Sequence, residues 1–159
     1  MFLVKTFSPA QTAFLGEKMG TLLEGGEVIC LYGELGAGKT CFVQGLALGL
    51  GIKERVTSPT FALIHEYTGR LTLYHMDFYR LADPLELEAL GYEEYFYGQG
   101  VCVIEWAERV RELLPRERLD VKISAAGCSP DERIIRLCPG GGRYRYIAEE
   151  AVKGVRAGY

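Results

Sequence analysis

The spacing of apolar residues changes character along the chain, and each change marks an element. Residues 2–7 predict a short strand. Ser8-Pro9-Ala10-Gln11 then reads as a capping box: the Ser8 hydroxyl accepts from the third helical amide, Pro9 suits the first helical position, and Gln11 reaches back. The helix it opens is expected to run to about Glu24, where Gly25-Gly26 stops it. Glu27–Tyr32 is nearly continuous in apolar residues, as in a strand buried on both faces of a parallel sheet. A glycine-rich loop follows, then a helix predicted over Lys39–Leu50 and ended by Gly51. Residues 60–68 and 71–77 are rich in β-formers and are divided by Gly69-Arg70, which predicts a hairpin. Asp83-Pro84-Leu85-Glu86 repeats the cap–Pro–Glu signal and starts a short helix ending at Gly91. Val101–Ile104 predicts a second buried strand with Glu105 at its C-terminal end, followed by a helix up to Pro115. Two further strands are expected at 119–125 and 132–138, before the break Gly140-Gly141-Gly142. Strands alternating with helices predict a three-layer α/β domain over residues 1–139, its parallel core extended by antiparallel strands. Residues 140–159 are expected to form a C-terminal tail with a loose helix.

Composition changes this picture little. The 159 residues suit one core, and 48% hydrophobic with 25% charged is ordinary for a globular domain. No apolar run approaches the roughly 20 residues of a membrane helix, and Met1–Lys5 is too short in apolar residues for a signal peptide. A cytoplasmic location with no membrane partner is expected. Cys30, Cys41, Cys102, Cys128 and Cys138 contain no C-x-x-C pair, so reduced, mostly buried thiols are the expectation. Cys41 stands apart only because it directly follows the glycine loop. The net charge of −3 argues against a chain that grips nucleic acid by itself. Its later arginines sit among acids, as in Glu108-Arg109-Val110-Arg111-Glu112, which is the pattern of a solvated helix face.

The loop carries the chemistry. Gly33-Glu34-Leu35-Gly36-Ala37-Gly38-Lys39-Thr40 meets the pattern G-x-x-x-x-G-K-[ST] in full, between a buried strand and a helix. Such a loop turns successive N–H groups inward to a phosphate chain, and the helix N-terminus adds positive charge there. Lys39 is expected to neutralise the β- and γ-phosphates, and the Thr40 hydroxyl to ligate Mg²⁺. Neither a late N-K-x-D or T-K-x-D element nor a D-x-x-G switch is present, which favours ATP over GTP. A P-loop enzyme also needs an acid at a neighbouring strand end. Asp77 closes Leu73–Met76 and Glu105 closes Val101–Ile104, and each is a candidate. His75 and Asp77 share a face of their strand. With no further ligand at suitable spacing, a histidine packed beside the sheet is preferred to a metal pair.

Taken together these stretches resemble the TsaE (also YjeE) family of small bacterial P-loop ATPases. The matching runs are Gly33–Thr40, Val56-Thr57-Ser58-Pro59-Thr60-Phe61, Leu73–Leu81, Leu90–Tyr95 and Ile104-Glu105-Trp106-Ala107-Glu108, in the family's order. The resemblance spans roughly residues 8–138. It implies a P-loop NTPase fold and weak ATP hydrolysis with Mg²⁺. The implied role is N6-threonylcarbamoyladenosine formation at position 37 of tRNAs that decode ANN codons. It also implies the TsaD–TsaB complex as partner, with tRNA reached through that complex. Carried over to this chain, Ser58-Pro59-Thr60 is a switch-like loop with Thr60 as the γ-phosphate contact. Asp77 is a metal-side or water-orienting carboxylate. Glu105 is favoured as the direct or water-bridged Mg²⁺ ligand, and Trp106 flanks the site. The adenine is expected between Thr12 and the turn at Glu132-Arg133. Tyr79 and Arg80 face either the nucleotide or a partner. The aromatic cluster Tyr92, Tyr95, Phe96 and Tyr97 reads most simply as core and rim packing, with a partner surface as the lesser reading.

Overall fold

The computed structural model describes residues 1–59, 62–127 and 129–158. Five strands and three α-helices fall close to the expected places: β1 Phe2–Thr6, α1 Pro9–Leu22, β2 Val28–Tyr32, α2 Lys39–Gly49, β3 Ile64–Thr68, β4 Thr72–Asp77, α3 Leu85–Leu90 and β5 Val101–Glu105; a further short helix, α4 Tyr92–Phe96, lies between α3 and β5. A 3₁₀ segment, Ala107–Leu113, precedes β6 Leu119–Ala125, β7 Arg133–Pro139 and the last helix, α5 Gly142–Gly158.

The strands form one seven-stranded sheet in the order β1-β7-β6-β2-β5-β4-β3. The pairs β6/β2, β2/β5 and β5/β4 are parallel. Antiparallel strands extend this core at both edges: β3 beside β4, and β7 then β1 beside β6. Two cores result, one on each face, because side chains alternate along every strand. Ile29, Leu31, Val103, Val121 and Ile135 meet α1, α2 and α5 on one face. Val28, Cys30, Cys102, Ile104 and Met76 meet α3, α4 and the 3₁₀ segment on the other. The three-layer α/β architecture with an extended parallel core is therefore as expected.

The capping box at Ser8 forms: Gln11 N–H donates to Ser8 Oγ at 3.2 Å, and Phe7 N–H to Gln11 Oε1 at 2.8 Å. The helix α1 then lies directly against α2. A Cβ on Gly45 would meet the Ala13 backbone, and one on Gly16 would meet the backbone of Phe42 and Leu46. Glycines on both sides thus let the two backbones touch.

Three elements differ from expectation. The helix predicted up to Pro115 is a 3₁₀ run interrupted at Val110 (φ −130°), and its buried residues Ala107 and Val110 are spaced by three. That spacing suits three residues per turn better than 3.6. Gly91, expected to end α3, also starts α4; its φ of 70° lets the chain turn sharply between the two. The segment after Gly140–Gly142 is a 17-residue helix docked on α1 and β7, with Tyr144, Ile147, Ala148, Ala151, Val152 and Val155 buried. Those positions follow the i, i+3, i+4, i+7 spacing of an amphipathic face. Two polar contacts fasten it: Val28 N–H donates to the Tyr144 hydroxyl at 2.9 Å, and Arg143 pairs with the buried Glu27 at 2.6 Å. Among the described residues no helix is long and apolar enough to cross a membrane.

Candidate functional site

The parallel strands β2, β4 and β5 end at one edge of the sheet, and the candidate groups gather there. Register brings Asp77 of β4 opposite Glu105 of β5, and Glu105 beside Leu31 of β2. The loop Gly33–Gly38 leaves β2 at this edge and delivers Lys39 and Thr40 to the start of α2. Gly38, the residue before the helix, has φ 108°, which an L side chain rarely adopts; a Cβ there would be strained. A cleft of about 360 Å³ is lined by Lys39, Thr40, Ser58, Asp77, Glu105 and Trp106. Cys41 and the loop tip at Leu35 border it as well.

Lys39 is almost completely buried, and its ammonium donates to the Gly33 carbonyl and, at 3.2 Å, to the Glu34 carbonyl. It lies 4.1 Å from the centre of the Trp106 ring, a cation–π contact. Burial pulls the Lys39 pKa below its ordinary value, while Glu105, Glu108, Asp77 and Glu34 pull it back up. Thr40 and Ser58 hydroxyls share a hydrogen bond of 2.7 Å. Asp77 accepts from Tyr79 N–H at 3.0 Å, and burial raises its carboxyl pKa above the usual carboxylate range. Glu105 is buried and bonded to His75 Nε2 at 2.5 Å, while His75 Nδ1 has no partner. His75 is thus a packed histidine that addresses a site acid from below.

Trp106 adopts φ 58° and ψ 42°, a left-handed conformation that is costly for a bulky residue. The turn it makes sends the chain away from β5 and lays the indole over Lys39, with Tyr79 stacked against it at 4.9 Å. Behind the loop, Cys41 Sγ donates to the Pro9 carbonyl at 3.0 Å, and burial raises its pKa. A recess of about 120 Å³ lies there between Thr12, Gly36–Gly38, Asp131 and Arg133. The fold thus brings Thr12 and Arg133 together next to the loop. The Thr12 hydroxyl, however, is bonded to Thr6 at 2.8 Å, and the Glu132 carboxylate turns to Lys5 at 3.4 Å. A second cleft of about 490 Å³ opens beside Gly33–Ala37, bounded by Tyr32, Trp106, Lys122 and Arg136. Thr60 lies outside the described residues, as does Phe61. Arg80 borders a neighbouring cleft together with Ser58, Asp77 and Tyr79.

Sequence reasoning did not foresee three features: the His75–Glu105 contact, the Thr40–Ser58 bond, and the hydrogen bonds from Arg133 to the Gly36 and Ala37 carbonyls. Parity gave one usable signal, since His75 and Asp77 share a face and Glu105 closes a second strand. That these two strands are neighbours had no local signature.

Comparison with known proteins shows what the whole chain is similar to. The profile of the family described as "Threonylcarbamoyl adenosine biosynthesis protein TsaE" matches residues 6–135. The tRNA threonylcarbamoyladenosine biosynthesis protein TsaE of Bacillus subtilis (strain 168) is 48% identical over 147 residues, covering 92% of this chain and 90% of its own length. Its namesake in Treponema pallidum (strain Nichols) is 56% identical over 116 residues, 73% of this chain and 86% of its own. The crystal structure of Bacillus subtilis YdiB superposes with a TM-score of 0.80 at 42% identity, covering 96% of this chain and 94% of that one.

Proposed function

The chain belongs to the TsaE family, and from that membership we propose that it binds ATP with Mg²⁺ at Gly33–Thr40 and hydrolyses it. The hydrolysis serves N6-threonylcarbamoyladenosine formation at tRNA position 37, in the cytoplasm, together with the TsaD–TsaB complex, which holds the tRNA. One observation carries this reading: Lys39, Thr40, Asp77 and Glu105, drawn from three separate segments, line a single cleft at the ends of the parallel strands.

The residues suit both groups. The loop conformation at Gly38 and the helix start behind it favour a phosphate chain. The Thr40 hydroxyl and the Asp77 and Glu105 carboxylates are hard oxygen donors, the kind Mg²⁺ takes. When bound, the metal neutralises charge on the β- and γ-phosphate oxygens. Lys39 exchanges the Gly33 and Glu34 carbonyls for phosphate oxygens, so its partly desolvated ammonium stays paired and meets a negative charge in place of neutral dipoles. The Thr40 hydroxyl, now bonded to Ser58, would turn to the metal. Water attacks the γ-phosphorus, the bond to the β–γ bridging oxygen breaks, and ADP and phosphate leave. Asp77, whose pKa is raised by burial, orients the attacking water. Glu105 would hold the metal, directly or through a water, and the buried His75 fixes that carboxylate from beneath. Trp106 shields Lys39 from bulk water. Among the described residues lining the cleft none is an arginine or glutamine. This supports a slow basal rate that rises when a partner orders the site or contributes a missing group.

The test is phosphate release from ATP by the purified chain, alone and with TsaD–TsaB plus tRNA, beside Lys39→Ala. Release that rises with the partners and disappears in Lys39→Ala is the expected result. An unchanged rate on mixing refutes the coupled role. Tight ATP binding with no release in any mixture replaces the engine by a nucleotide-sensing module.

A further inference from the structure

We infer that Arg133 is the positioning residue of the phosphate loop, holding its backbone from behind and contacting no part of the nucleotide. This rests on the reading that Gly33–Thr40 holds a phosphate chain.

Arg133 opens β7 on the antiparallel extension, in register with Thr6 of β1 and Ala125 of β6. By strand parity it shares a face with the buried Ile135 and Leu137, which is the face that carries α1 and α2. Its side chain therefore runs toward the loop. Nε donates to the Ala37 carbonyl at 2.8 Å, and Nη2 to the Gly36 carbonyl at 3.2 Å. Nη1 donates to the carbonyls of Pro130 at 2.6 Å and Glu132 at 2.8 Å. Four bonds thus go to main-chain carbonyls, two on the loop and two on the turn leading into β7. No salt bridge links Arg133 to a carboxylate among the described residues.

The consequence follows from peptide geometry. In a planar trans peptide the C=O and the following N–H point in opposite directions. The Gly36 carbonyl belongs with the Ala37 N–H, which closes a turn on the Glu34 carbonyl at 3.0 Å. The Ala37 carbonyl belongs with the Gly38 N–H. Pinning the Ala37 carbonyl outward therefore aims the Gly38 N–H inward, at the phosphate position, and pinning the Gly36 carbonyl preserves the turn before it. A glycine-rich loop has no side-chain packing of its own to fix these peptides, and Gly36 meets nothing within 4 Å where a Cβ would stand. The planar fork of a guanidinium reaches two successive carbonyls together; an ammonium, as a point charge, does not.

Arg133→Ala and Arg133→Lys test this, with ATP, ADP and inorganic tripolyphosphate as probes, each titrated by calorimetry. Amide hydrogen exchange of residues 34–40 is followed in the nucleotide-free chain, with α5 as internal reference. Both variants are expected to weaken all three probes alike, by about tenfold, on the loss of two charge-assisted bonds. They are also expected to speed exchange in the loop while leaving α5 unchanged. Wild-type affinity in Arg133→Lys overturns the inference, since charge alone then suffices. Weakened ATP and ADP with unchanged tripolyphosphate overturns it in favour of a contact to the base. Unaltered exchange at 34–40 overturns it as well. If Arg133→Ala does not fold, Arg133→Lys decides. If the wild-type chain binds none of the probes, the proposed function fails, and the exchange arm still judges the brace.

Discussion

Gly45→Ala sets two rules against each other, and the structure decides between them. Alanine is the better helix former, so an exposed site in the middle of α2 would gain about 1 kcal/mol from the change. Gly45, however, faces α1. A Cβ there would lie 2.6 Å from the carbonyl carbon of Ala13 and 2.8 Å from its Cα, and closer still to its carbonyl oxygen. All three are backbone atoms, so no rotamer can move aside. Restoring ordinary carbon–carbon contact requires the helices to part by about 1 Å, since the optimum separation is roughly 3.5–4 Å. That motion also loosens the contacts of Gly16 with Phe42 and of Gly20 and Gly49 with each other. Overpacking typically costs about 1–3 kcal/mol, and a clash of backbone on backbone takes the upper figure, about 3 kcal/mol; less the propensity gain of about 1 kcal/mol, the net result is a loss of about 2 kcal/mol. Urea unfolding measures it, with Gly154→Ala as the counterpart. Gly154 also lies within a helix, but its Cβ would meet only Lys18 side-chain carbons, at 3.2 Å and beyond. That variant is expected to gain up to about 1 kcal/mol. A Gly45→Ala chain as stable as the wild type would refute the reasoning, because it would mean the two backbones are not in contact.

Two further outcomes follow from buried groups. His75→Leu leaves the Glu105 carboxylate buried without its 2.5 Å partner, and a stability loss of about 2–5 kcal/mol is expected in urea unfolding. The double variant with Glu105→Leu removes the stranded charge and should lose less than His75→Leu alone; a larger loss would show that the pair is not what His75 contributes. Cys102 gives a pH signature. Burial pushes its thiol from 9.0 up to about 12, so the folded state favours the protonated form and binds more protons than the unfolded state above pH 9. Its contribution is therefore whole below about pH 9 and is lost as the pH rises toward 12, at up to about 1.4 kcal/mol per pH unit. Cys102→Ala should show a shallower fall in unfolding free energy between pH 9 and 10.5 than the wild type, and equal slopes would contradict the assignment.

The legible part of this fold is the part whose signals are local. The run Glu27–Tyr32, the glycine loop and α2 follow from apolar continuity and a motif, and Ser8–Gln11 forms the capping box its residues specify. The 3₁₀ segment was hidden by its own polarity, because Glu108-Arg109 and Arg111-Glu112 read equally well as the outside of an α-helix. What redirects it is the left-handed turn at Trp106, and a tryptophan gives no local cue for positive φ. The docked α5 had a readable stripe from Tyr144 to Val155, and the preceding glycine run obscured its meaning. In the site, the motif names Lys39 and Thr40, and strand ends point to Asp77 and Glu105. The pairing of β4 with β5 that sets those acids side by side is a long-range fact. The contacts of Arg133 with carbonyls of Gly36 and Ala37 are beyond sequence reading for the same reason, since a backbone acceptor has no identity in the sequence.

These long-range contacts converge on the rear of the phosphate loop. Helix α2, which begins at Lys39, is seated by the glycine seam with α1. The loop ahead of it is gripped through Gly36 and Ala37 by the first residue of β7. Helix α1 is in turn backed by α5, where Arg143 donates to the Leu22 carbonyl at 3.2 Å and Gly158 sits against the Phe14 ring. A displacement at the C-terminal helix therefore has a path of direct contacts to the loop, through α1 and then α2. A rigid rear is what phosphoryl chemistry asks of such a loop, because positioning and fixed dipoles supply the catalysis. On the cleft side, by contrast, Lys39 and Thr40 are held by bonds to Gly33, Glu34 and Ser58, which in the proposed function a phosphate chain and a metal would replace. On the proposed function, the fold fixes the parts that must not move when nucleotide binds, and leaves the exchangeable bonds on the face that would receive it.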